Sequence, residues 1–171
     1  MYRLSPMLLL TLAAAPASAE PFEDVFGKTA CYLRAYDAAH LAAHPNQQTT
    51  RLALSFGKTN QDGAPATAKN FSLYVSARRK GSSEQYEGLA FCKAAGDGFD
   101  CQREGDMGSF RLTAAPGGRL KMDAPRTTFE GQTDFFTVEN GRFTIEGEKK
   151  TRTGKADDSV FLLDPAPAGN C

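Results

Sequence analysis

The sequence predicts an all-β, mainly antiparallel fold: a sandwich or small barrel with one short N-terminal helix and two disulfides. Three observations carry this. Runs of five to eight residues alternate with period two, polar glycine-containing turns separate them, and four cysteines follow a leader that reads as an export signal.

The leader comes first. In "MYRLSPMLLLTLAAAPASAE", Arg3 supplies one charge, Met7 to Ala15 are apolar, and Ala17-Ser18-Ala19 is a small-x-small cleavage site. Residues 1–19 are expected to be a signal peptide and 20–171 a single β-rich domain, with Glu20 its mature start. No lipidation cysteine follows, and no later run is long enough to span a bilayer, so no stable membrane insertion is expected after cleavage. Of 20 basic and 20 acidic side chains only Arg3 falls in the leader, so the exported domain carries a formal charge of −1. That balance offers no pull toward nucleic acid.

"YDAAHLAAHP" then predicts the helix. Asp37 suits an N-cap, the alanines favour helix, and Pro45 ends it at or before His44. Asp37, His40 and His44 also sketch a two-histidine, one-carboxylate metal site. Leu41, however, occupies the position where a zincin helix carries its general-base glutamate. The capped-helix reading takes precedence, and no metal or cofactor is expected.

Strands follow at "RLALSF", "FSLYVSA", "YEGLAFC", "SFRLTA", "RLKMDA", "DFFTVE", "RFTIEG" and "SVFLLD". In "CKAAGDGFDC" the glycines fold the segment into a hairpin that sets Cys92 against Cys101 and Lys93 against Asp100. Cys31 is then left to pair with Cys171 across the ends of the domain. Asn140-Gly141 predicts a two-residue type I′ turn, which pairs Glu139 with Arg142, Val138 with Phe143, Thr137 with Thr144 and Phe136 with Ile145. The basic clusters "ARRK" at 77–80 and "EKKTRTGK" at 148–155 read as solvated loop ends.

No nucleophile elbow, phosphate-binding loop or paired acid and base is present; adjacent Asp157 and Asp158 would point to opposite faces. Twelve phenylalanines and five tyrosines without a tryptophan are expected to fill a core.

From Cys31 to Cys171 the chain resembles a group of uncharacterised small secreted proteins of Gram-negative bacteria, through "CYLRAYDAAHLAAHPNQ", "FCKAAGDGFDC" and "DDSVFLLDPAPAGNC". The resemblance implies export to the periplasm and integrity as one domain, and carries no activity. The expected role is a non-catalytic periplasmic binding or accessory protein, such as a hydrolase inhibitor or envelope module, whose partner is a protein or small ligand of the envelope. The alternatives are a carrier of an apolar ligand in a barrel cavity and a metal enzyme using Asp37, His40 and His44.

Overall fold

The computed structural model describes residues 31–171, so the leader expected at 1–19 and the mature start at Glu20 lie outside them. Its strands are β1 (Cys31–Ala35), β2 (Thr49–Phe56), β3 (Asn70–Arg79), β4 (Tyr86–Ala95), β5 (Gly98–Arg103), β6 (Gly108–Ala115), β7 (Arg119–Glu130), β8 (Asp134–Glu139), β9 (Arg142–Gly147), β10 (Lys150–Lys155) and β11 (Val160–Ala166). One short helix, α1 (Ala38–Ala43), joins β1 to β2, and a 3-10 turn covers Ala168–Asn170.

Eight strands close a barrel in the order β7-β11-β1-β2-β3-β4-β5-β6, with β6 returning to β7. All pairings are antiparallel. Of the two architectures expected, the barrel is the one formed. Closure removes the exposed edges that a sandwich would leave.

β7 is twice the length of the "RLKMDA" run. It continues through Pro125, where two of its residues, Ala124 and Pro125, oppose Phe110 alone as the register with β6 shifts. A bulge is where a sheet tolerates a residue without an N–H. Beyond it, β7 keeps its pairing with β6 at Arg126 and Thr127 and meets β4 at Glu130, while its other side exchanges β11 for β8 and so carries an outer layer, β8-β9-β10.

The register of β8 and β9 is the one that Asn140-Gly141 dictates, pair for pair. Asn140 has φ 51° and Gly141 φ 72°, the left-handed geometry of a type I′ turn. Phe136, Val138 and Ile145 are buried beneath this layer against Phe129, and Phe143 packs against them. Phe129 and Phe136 stack at 5.9 Å.

The barrel interior is filled by aromatic and aliphatic side chains. Phe56, Phe71 and Phe99 make successive edge-to-face contacts at 5.4 and 5.1 Å. Both disulfides form as expected. Cys92–Cys101 is fully inside, while Cys31–Cys171 lies on the outer side of β1 and β2. Among the described residues no thiol is free. Two disulfides fit an extracytoplasmic chain, and among the described residues no helix is long and apolar enough to cross a membrane.

Three expectations need correction. "EKKTRTGK" is not a loop: Lys150–Lys155 form β10, although solvated along nearly all of it. "ARRK" is not a solvated loop end either. Arg78 and Arg79 belong to β3, Arg79 is buried, and Lys80 Nζ donates to Pro45 O at 3.0 Å behind α1. Lys93 does lie opposite Asp100, but the carboxylate pairs with Arg111, which also holds Asp97, both at 2.7 Å.

Candidate functional site

The helix carrying both histidines is a capped aromatic stack. Asp37 Oδ1 accepts the backbone N–H of His40 at 2.7 Å, and the helix stops at His44. Arg34 lies over the Tyr36 ring; Tyr36 stacks on His40 at 4.6 Å and His40 on His44 at 4.3 Å. Stacked imidazoles direct their in-plane lone pairs side by side, whereas two ligands of one zinc ion must converge at about 2 Å. The Asp37 carboxylate is committed to the cap. Among the described residues, no three His, Cys, Asp or Glu side chains are grouped to hold a metal.

A second arrangement lies on the outer face of β2, β3 and β4. Alternation buries Phe71, Leu73, Val75 and Ala77, so it must turn Tyr74 and Ser76 outward, and Tyr74 is 60% exposed. Tyr74 stands across from Leu89, which faces the same way on β4. Together they line a groove of about 630 Å³. Cys171, held by its disulfide near the backbone oxygens of Tyr32 and Leu54, forms a wall of the groove beside Ser55.

Three glutamates also line this groove. β4 runs past the end of β5 and meets β7 directly, pairing Glu87 with Glu130. Glu104, from the turn after β5, lines the same space. Glu87 accepts from Gln85 Nε2 at 2.7 Å, and no lysine or arginine pairs with Glu87, Glu104 or Glu130 among the described residues. An adjoining groove of about 630 Å³ shares Gln85, Glu87 and Glu130 and adds Glu84, whose Oε1 accepts from Thr133 Oγ1 at 2.7 Å. Like charges directly opposed across strands are destabilising.

No family model matches the chain, and neither a curated protein nor a solved structure similar to it was found.

Three charged side chains that the sequence reading missed are buried elsewhere in the fold or beneath this face. Arg79 Nε donates to Tyr86 Oη at 2.5 Å and its Nη2 to Asp134 Oδ2 at 2.7 Å, while Tyr86 Oη donates to Asp134 Oδ1 at 2.7 Å. This clasp ties β3 and β4 to β8, and burial pushes the Tyr86 hydroxyl above its usual range. Asp158 is 1% exposed and accepts from Gln47 Nε2, Gln48 N and Thr49 N at 2.7, 2.8 and 2.5 Å. It pins the approach to β11 against the start of β2. Burial raises its carboxyl, against the pull of those donors.

Arg103 is the exception, because nothing among the described residues neutralises it. It is 1% exposed, with its guanidinium 5.3 Å from the Phe129 ring centroid, and a methyl group at Gly88 would collide with its Nη2. Nη2 lies 3.9 Å from Met107 Sδ, while Nε and Nη1 have no partner among the described residues. Burial lowers its pKa to about 10. The folded state therefore bears the cost of this charge at every pH below about 10, and the cost is relieved as pH rises above that value. Arg103→Met is expected to stabilise the protein by about 1–3 kcal/mol at neutral pH. Urea denaturation measures this, and a destabilised variant would contradict it.

Proposed function

We propose that this chain is a non-catalytic binding protein of the periplasm whose acidic groove takes a cationic segment of an envelope protein. The observation that carries this reading is the Glu87–Glu130 cross-strand pair, two carboxylates facing each other beside an exposed tyrosine, with no lysine or arginine ion-paired to either among the described residues. A lysine or arginine fits such a place. Its stem covers Tyr74 and Leu89, its head meets the carboxylates, and the tyrosine ring face adds a cation–π contact. A groove that relieves its own repulsion on binding has a thermodynamic reason to be occupied. The filled barrel interior favours a surface site over internal carriage of an apolar ligand.

Calorimetry with a peptide of alternating lysine and leucine tests the reading. Binding is expected at low ionic strength, weakening as salt rises. The double variant Glu87→Gln/Glu130→Gln is expected to bind about tenfold more weakly, while melting at a higher temperature because the opposed charges are gone. Unchanged affinity in that variant, or no binding by the wild type, would remove the proposal.

A further inference from the structure

Among the described residues the sheet has an open edge whose chemistry selects a partner. β10 pairs with β9 on one side and with nothing on the other. Lys149, Lys150, Arg152 and Lys155 fall within seven residues, and none forms an ion pair among the described residues. The strand contains no acidic residue. Glu146, across from Thr151, Glu148, in the turn, and exposed Asp157, two residues past Lys155, are the nearest free carboxylates, and none pairs with these cations among the described residues. Lys155 lies opposite Arg142, which adds to the positive field. Thr151 and Thr153 supply β-favouring positions between the charges.

An edge strand offers a row of unpaired N–H and C=O groups to any extended chain. Lysines on an edge usually guard it. Against a second copy they do so here, since two β10 edges in register would set cation against cation. An acidic strand meets the opposite situation, gaining both the backbone ladder and the charge pairs. The edge therefore excludes itself and admits its complement.

We propose that β10 receives an extended acidic segment of a partner protein by strand addition, with backbone hydrogen bonds giving affinity and Lys150, Arg152 and Lys155 choosing the sign of charge. None of these residues lines the acidic groove, so this inference and the groove reading fail separately.

Fluorescence anisotropy with a labelled peptide of alternating glutamate and valine tests it on the mature protein. Saturable binding is expected, weakened by salt and reduced about tenfold or more in Lys150→Glu/Arg152→Glu. These side chains are exposed, so the variant's melting curve is expected to match the wild type. The same peptide with alternate backbone nitrogens methylated keeps its charge but cannot form the ladder, and it is expected to lose most of the affinity. Failure of the unmodified peptide to bind would overturn the proposal, as would equal binding by the methylated one. So would binding only to phosphatidylglycerol vesicles, which would make the edge a membrane contact.

Discussion

Changing Cys31 and Cys171 together to serine is expected to lower stability by about 5 kcal/mol, from the loop-closure entropy released to the unfolded chain. The bridge spans 140 residues, nearly all of the described chain. Cys31 is fully buried at the start of β1, and Cys171 follows a short 3-10 turn that makes few other attachments. One is the bond from Arg51 to the Asn170 carbonyl. The variant therefore also frees a wall of the acidic groove, and peptide affinity there is expected to fall. Urea unfolding of wild type and variant under oxidising conditions provides the comparison. A loss below about 1 kcal/mol would mean that the denatured chain is already compact enough to gain little from the bridge.

Asp134→Ala is the second large effect, expected to destabilise by about 3–5 kcal/mol because it strands the buried Arg79 charge. Arg79 is 8% exposed, and this carboxylate is its sole acidic partner among the described residues. Tyr86 loses its short bond to Asp134 at the same time and keeps only the longer one to Ser82 Oγ at 3.4 Å. Replacing the pair together, as Arg79→Met/Asp134→Leu, is expected to recover most of the loss, since no charge is then left unmatched. Thermal unfolding of Arg79→Met, Asp134→Leu and the double variant gives the coupling energy. A double variant no more stable than Asp134→Ala would assign the effect to packing and not to charge.

The sequence and the structure agree most closely where local chemistry has only one solution. Asn140-Gly141 requires a type I′ turn, and that turn dictates every pair of β8 and β9. The same holds for Asp37 as a cap and for Cys92 opposite Cys101. Buried charge was harder to read, because composition suggested solvent. The signal was nevertheless present as parity: Phe71, Leu73, Val75 and Ala77 face inward, and the next position of that series is Arg79. Phe99 and Cys101 lead in the same way to Arg103. Trusting the alternation over the charge would have found both. The acidic groove had no such signal. Glu87 and Glu130 lie far apart in sequence and meet only because β4 extends past β5 to reach β7. That contact is a product of barrel closure, which no local pattern encodes.

The long β7 strand has a mechanical meaning. Its first half is a stave of the barrel, and its second half, still paired with β6 and β4 on one side, is the spine of the outer layer on the other. The Pro125 bulge is thus a fixed elbow inside a single hydrogen-bonded ribbon, not a joint between two bodies. The outer layer cannot peel away as a unit without unzipping a strand that the barrel also needs. Native-state hydrogen exchange should show this directly, with amides of β8 opening together with those of β7 while β10, held from one side only among the described residues, frays ahead of both.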